Sequence, residues 1–91
     1  MRYIVSPDFI LREIGDEAVL IPVGDVGELE NSVVSLNSTY LFLYKQFIIP
    51  KTVDEVIDAA KENYEDPDGV MEEQIRGAVG EFVMQKVLME A

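Results

Sequence analysis

The residues whose types and spacing come nearest to a metal site are the acidic ones around Asp66-Pro67-Asp68-Gly69. Glu72 and Glu73 follow closely, and carboxylate oxygens are ligands that calcium prefers. An EF-hand alternates its ligands along a loop of about twelve residues and ends on a bidentate glutamate, and this stretch has neither feature. The pattern favours a turn that leads into the acidic first turn of a helix, where the macrodipole stabilises negative charge. No metal ligands are therefore predicted.

Catalytic chemistry has no visible support in the sequence. The chain contains no cysteine and no histidine, which excludes disulfides, thiolate nucleophiles, serine–histidine triads and the usual zinc ligands. No other nucleophile–base pair is evident. We therefore predict a protein that is not an enzyme, with no catalytic residue and no cofactor.

The charge balance restricts the partners. The 91 residues include 18 acidic and 7 basic side chains, and the net charge is −11. Nucleic-acid binding neutralises phosphates with Lys and Arg, and anionic membranes attract the same residues, so neither partner is expected. The sequence has no evident signal peptide or apolar run of transmembrane length, which predicts a cytoplasmic location. A chain this short predicts one domain.

The first third of the sequence is typical of strands. Two β-rich runs, residues 9–14 and 18–23, are separated by Gly15-Asp16-Glu17. A short turn of this composition between two such runs predicts a hairpin. A polar, glycine-rich loop is predicted over residues 24–30, and a third short strand over 33–36. The stretch 32–36 is uncharged, so its edge could accept another strand.

The two helices that follow carry clear start signals. Asn37 or Ser38 is a suitable N-cap for a helix through Phe47. Apolar residues cover most of its circumference, so it is predicted to be central and buried, with its aromatic residues in the core. Thr52 and Glu55 have the spacing of a capping box and predict the start of the second helix.

A third helix is predicted from about Val70 to Val87 or Leu88. One face is apolar and is predicted to be core; it consists of Ile75, Ala78, Val79, Phe82 and Val83. A second stripe of small and apolar residues lies on another side and includes Gly77, Gly80, Met84 and Val87. Glycine inside a helix costs about 1 kcal/mol relative to alanine. Three explanations stay open for these glycines, namely an approaching ligand, a frayed helix, or tight packing within the fold.

Three strands followed by three helices predict an α+β, winged helix-turn-helix-like domain, with a three-stranded antiparallel sheet on a three-helix bundle. The order and spacing resemble the PqqD family, the small proteins of pyrroloquinoline quinone biosynthesis and the wider set of precursor-recognition elements. The resemblance covers residues 9–88. It rests on the hairpin, on the Leu36-Asn37 pair at the strand-to-helix junction, on the second helix start at 52–57 and on the apolar spacing over 75–88. Lys86 stands where the family usually has glycine.

The resemblance implies binding rather than catalysis. In such proteins the leader of a ribosomally made precursor peptide adds as a strand to the edge of the third strand, and its apolar side chains enter between that strand and the third helix. The implied partners are the precursor peptide and a modifying enzyme such as a radical SAM maturase or a leader protease and cyclase. On this sequence the implied peptide-binding residues are Val33, Val34, Ser35 and Leu36 on the strand and Arg76, Gly77, Gly80, Val83, Met84 and Val87 on the helix.

Other interpretations remain at this point. The third strand could be paired on both edges or covered by a second copy of the chain, so homodimerisation stays open. A winged-helix DNA-binding regulator has the same helical arrangement, although the acidic third helix suits a phosphate-lined groove poorly. If the peptide groove is correct, Gly80→Glu or Met84→Asp is expected to weaken leader binding at least tenfold without unfolding the protein.

Overall fold

The computed structural model describes residues 1–23, 33–66 and 69–91. The loop predicted over 24–30, Ser32 at the start of the acceptor stretch, and the middle of the predicted 66–69 turn lie outside the described residues. In chain order the elements are β1 (Arg2–Val5), β2 (Phe9–Ile14), β3 (Glu17–Pro22), β4 (Val34–Leu36), α1 (Ser38–Gln46), β5 (Lys51–Thr52), α2 (Val53–Asn63), α3 (Met71–Met84) and β6 (Leu88–Glu90).

The predicted antiparallel sheet is confirmed. It has the strand order β2-β3-β4, and the hairpin register pairs Ile14 with Glu17. Gly15 in the connecting turn has a φ of +60°, a conformation that glycine adopts without steric cost. β4 lies antiparallel to β3, with Leu20 opposite Val34. The α+β architecture, with a three-stranded antiparallel sheet ahead of the three helices, is therefore as predicted.

The predicted helix caps are present. The Asn37 side chain accepts a hydrogen bond from the backbone N–H of Tyr40 at 2.8 Å, which starts α1. Thr52 and Glu55 form the reciprocal capping box of α2. The pKa of Glu55 is lowered, first by the backbone N–H of Thr52 and further by Arg2, whose guanidinium lies 2.7 Å from the carboxylate. The Glu55 carboxylate thus caps the start of α2 and also links this helix to β1 through its ion pair with Arg2.

The acidic stretch before α3 acts as a cap. Asp66 Oδ1 accepts hydrogen bonds from the backbone N–H groups of Val70 and Met71, at 3.1 and 3.2 Å. These donors have no partner within the helix, so the carboxylate satisfies them. In the described part of the chain, no group of three or more acidic, His or Cys residues is placed to hold a metal ion.

The prediction that α3 continues to Val87 or Leu88 is wrong, because the helix ends at Met84. Lys86 has a φ of +63°, in the left-handed region. The N–H of Val87 donates to the carbonyl of Phe82 at 2.8 Å, and that of Lys86 donates to the carbonyl of Val83 at 3.1 Å. This pair of bonds is the Schellman motif, in which the left-handed position is usually glycine.

Replacing Lys86 by glycine is expected to stabilise the protein. A left-handed conformation costs a residue with a Cβ about 1–2 kcal/mol, and the greater entropy of glycine in the unfolded chain offsets part of that gain. We expect Lys86→Gly to raise the free energy of unfolding by about 0.5–1 kcal/mol, measured from the urea midpoint at an unchanged m-value. Lys86→Ala removes the same charge but keeps the Cβ, so an equal gain in both variants would contradict the conformational explanation.

The structure adds a second sheet that the sequence analysis did not predict. Its order is β5-β1-β6, with β1 antiparallel to both neighbours. The pairs Arg2–Thr52 and Val5–Leu88 bring the start, middle and end of the chain together. Ser6 extends this connection, since its backbone N–H donates to the carbonyl of Val87 at 2.8 Å.

One core joins the two sheets and the three helices. Phe47, Phe82, Leu20, Leu43, Val56 and Val87 are its largest fully buried side chains. Of the core face predicted on α3, Ile75, Ala78, Val79 and Phe82 are buried, whereas Val83 is exposed and its assignment to the core is wrong. Within residues 1–23, 33–66 and 69–91, no helix combines the length and the apolar character needed to cross a membrane.

Candidate functional site

β4 lies at the edge of its sheet. Among the described strands it pairs with β3 alone. Leu36 is buried and Val34 partly buried, whereas Ser35 is exposed and Val33 is 52% exposed. In an antiparallel strand, alternate residues direct their N–H and C=O groups away from the partner strand, and on that outer side no described strand pairs with β4.

A cavity of about 580 Å³ begins where β4 ends. It lies between the first turns of α1, the end of α2 and most of α3. Its size is within the roughly 300–1,000 Å³ range of ligand pockets. The lining residues are Asn37, Thr39, Tyr40, Phe42, Leu43, Ala60, Tyr64, Met71, Gln74, Ile75, Gly77, Ala78 and Glu81.

Two edge-to-face aromatic pairs hold the cavity walls in place. Tyr40 packs on the buried Phe82 with ring centroids 5.5 Å apart. Phe42 packs on Tyr64 at 5.2 Å, and Tyr64 remains 53% exposed. Aromatic contacts of this geometry restrict side-chain motion and contribute about 0.5–1.5 kcal/mol beyond area burial. Tyr40, Phe42 and Tyr64 therefore form an aromatic part of the cavity lining.

A hydrogen bond joins α1 to α3 at the cavity, between two residues that line it. The Tyr40 hydroxyl donates to Glu81 Oε2 at 2.9 Å. This bond raises the pKa of the Tyr40 hydroxyl, since the phenolate could not donate it, and partial burial raises the pKa further. At neutral pH the hydroxyl stays protonated and orients the Glu81 carboxylate.

The residues predicted on α3 are divided between different surfaces. Gly77 lines the 580 Å³ cavity. Arg76, Gly80 and Val83 line a smaller cavity of about 290 Å³ on another side of α3, together with Tyr3 and Val53. The structure therefore brings one of the two predicted glycines close to the start of α1.

Two further predicted residues lie outside both cavities. Met84 is 84% exposed at the end of α3, whereas Val87 follows the helix and is 0% exposed. The placement of Val87 on the helix is wrong, because its side chain belongs to the core under the second sheet. A peptide on the surface cannot contact it without a rearrangement of the core.

Arg76 is engaged by two carboxylates of the same chain. Its guanidinium lies 2.8 Å from Asp54 and 2.9 Å from Glu72. These contacts raise the pKa of Arg76, with the hydrogen bond to Glu72 as the larger cause. The interaction connects the starts of α2 and α3 and leaves Arg76 directed away from the 580 Å³ cavity.

The two glycines of α3 border free space. A Cβ at Gly77 or Gly80 would have no atom within 4 Å apart from the backbone of its own helix. Both positions lie inside the continuous helix Met71–Met84. Within the described residues, neither fraying nor tight packing explains them, and the approach of a ligand to these glycines stays a prediction.

The architecture is that of a protein already solved with a peptide. A structure described as TbiB1 in complex with the TbiA(beta) leader peptide superimposes with a TM-score of 0.76 and 17% sequence identity, covering 97% of this chain and 96% of the other. The two proteins share one fold. At this identity the likeness concerns the fold and does not transfer individual residues. No family model matches the chain, and no curated protein matches it.

The four aromatic residues from Tyr40 to Phe47 were predicted to be core, and two of them are buried. Tyr44 and Phe47 are buried, whereas Tyr40 and Phe42 are partly exposed and line the cavity. Glu81 and Tyr64 were not predicted as site residues. One signal was present in the sequence, since the apolar residues of α1 cover more of its circumference than one core face requires.

Proposed function

We propose that the protein is a non-catalytic peptide-binding domain that captures the leader of a ribosomally made precursor peptide. One observation carries this proposal: the edge strand β4 leads directly into an aromatic cavity. Leu36 ends β4, and the next residue, Asn37, lines the cavity. A peptide strand paired with β4 would therefore have its side chains within reach of the cavity.

The binding mode is strand addition. Main-chain hydrogen bonds to β4 supply affinity that depends little on sequence. Side chains on alternate residues of an extended peptide point to the same face, about 6.5–7 Å apart, and those that face α3 would enter the cavity. The groove thus combines β4 with Gly77 and the aromatic walls.

Capture of the leader leaves the rest of the precursor free for chemistry elsewhere. Since the sequence has no evident nucleophile–base pair, the modification is assigned to a partner enzyme, such as a radical SAM maturase or a leader protease and cyclase. Pathways of the pyrroloquinoline quinone type and other modified-peptide pathways use this division of labour. The fold shared with TbiB1, solved in complex with a leader peptide, supports the proposal.

The proposal is tested with synthetic peptides from the N-terminal halves of short open reading frames in the same gene cluster. Isothermal titration is expected to give a Kd near micromolar or tighter, about −8 kcal/mol. Amide hydrogen exchange should show new protection at β4 when the peptide is bound. Binding without protection at β4 would contradict strand addition, and a stable homodimer closed through β4 would contradict a free acceptor edge.

The DNA-binding alternative makes an opposite prediction. α3 carries Glu72, Glu73 and Glu81, and its Arg76 is paired with carboxylates. With a net charge of −11, the protein should not bind duplex DNA measurably at physiological salt. Saturable, salt-sensitive binding of a duplex at micromolar protein in a gel-shift assay would favour the regulator and contradict the peptide carrier.

A further inference from the structure

The 580 Å³ cavity has an unbalanced charge. Among its lining residues Glu81 alone carries a charge. Arg76 lines the other cavity and is paired with two carboxylates, and Lys45 lies 3.2 Å from Glu13. No ion pair among the described residues includes Glu81.

The Glu81 carboxylate is oriented but only partly satisfied. Oε2 accepts the Tyr40 hydroxyl at 2.9 Å, whereas Oε1 has no hydrogen-bond donor among the described residues. In the free protein, water can solvate this oxygen because Glu81 is exposed. A peptide that covers the cavity removes that water, and a carboxylate left without a partner in an apolar contact weakens binding.

We infer that the cavity selects a peptide with a basic side chain, arginine or lysine, beside its apolar anchors, and that Glu81 determines this preference. A guanidinium or ammonium group would donate to Oε1 and offset the lost solvation. The rings of Tyr40, Phe42 and Tyr64 line the same space, and aromatic faces attract cations. The inference rests on the proposed peptide-binding function and names the ligand class of that site.

A displayed library of random peptides tests the preference without knowledge of the natural ligand. The library is selected in parallel on the wild-type protein, on Glu81→Lys and on an unrelated protein of similar size and acidity. Wild-type selection is expected to enrich arginine or lysine at one position relative to the acidic control, and Glu81→Lys should enrich aspartate or glutamate there. Specific peptides without a basic preference would overturn the inference and leave the proposed function standing. If no peptide is enriched beyond the acidic control, both fail.

A double-mutant cycle tests the contact itself with one enriched peptide. Replacing its basic residue by glutamine is expected to weaken binding to the wild-type protein about tenfold, and Glu81→Gln should weaken binding of the original peptide equally. The peptide substitution should then have almost no effect on Glu81→Gln. Glu73→Gln is the matched control, because it removes the same charge from an exposed position of α3 outside the cavity lining. Equal losses in Glu73→Gln and Glu81→Gln would show general charge attraction and overturn the assignment of Glu81.

Discussion

The Gly77→Trp variant is expected to bind leader peptides at least tenfold more weakly than the wild type, a loss of about 1.4 kcal/mol or more. Gly77 lines the cavity next to β4, and a Cβ there would meet no atom within 4 Å beyond its chain neighbours and its own helix backbone. The indole would therefore occupy the space that the peptide's apolar anchors need. Because tryptophan is a better helix former than glycine, the free energy of unfolding should stay the same or rise by about 0.5 kcal/mol.

Gly80→Trp is the matched control for this experiment. It makes the same change in the same helix, three residues further on, but Gly80 lines the smaller cavity with Tyr3 and Val53. Isothermal titration of both variants, with urea denaturation to establish folding, measures the difference. If Gly80→Trp weakens binding and Gly77→Trp does not, the peptide lies on the other side of α3, where the sequence analysis placed part of the groove.

The features predicted correctly from the sequence depend on local chemistry. The hairpin turn at Gly15, the cap at Asn37 and the box of Thr52 and Glu55 each involve residues at most a few positions apart. Turn and cap preferences of this kind act within one segment and do not depend on the rest of the fold. They set the order of strands and helices, and that order was sufficient to predict the α+β architecture.

The second sheet could not be predicted because its strand pairs join residues that are far apart in the sequence. β1 meets β5 and β6 through pairs such as Arg2–Thr52 and Val5–Leu88. β5 has two residues and β6 has three, too few to establish an alternating pattern. In addition, Val87 and Leu88 continue the apolar spacing of α3, while the left-handed residue that ends the helix is Lys86 rather than the glycine that marks such ends.

The side of α3 that faces the groove also depended on tertiary packing. Gly77 and Gly80 are about 60° apart on a helical wheel, so periodicity places them on one stripe. Packing of α1 against α3, with Tyr40 on Phe82 and Glu81, puts only Gly77 in the large cavity. The sequence identified the helix and its unusual glycines, and the structure distinguishes the surfaces that they line.

Val87→Asp is expected to lower the stability of the protein strongly, whereas Met84→Asp is expected to leave it almost unchanged. Helical periodicity places both residues on one apolar stripe, yet Val87 is 0% exposed and Met84 is 84% exposed. A carboxylate at Val87 would be buried among apolar side chains next to the junction between α3 and β6. The cost is several kcal/mol, comparable with the total stability of roughly 5–15 kcal/mol of a small domain, so we expect Val87→Asp to be largely unfolded at 25 °C.

Met84→Asp should change the free energy of unfolding by less than about 0.5 kcal/mol, as is usual for surface substitutions. Circular dichroism with urea denaturation of both variants provides the measurement. A folded Val87→Asp variant with wild-type stability would contradict the placement of Val87 in the core and restore a longer α3.

Because Met84→Asp is expected to remain folded, titration of that variant with a leader peptide then tests the predicted tenfold loss of affinity directly. An unchanged affinity would restrict the groove to β4 and the cavity around Gly77, since a carboxylate at the exposed end of α3 would then lie beyond the reach of the peptide.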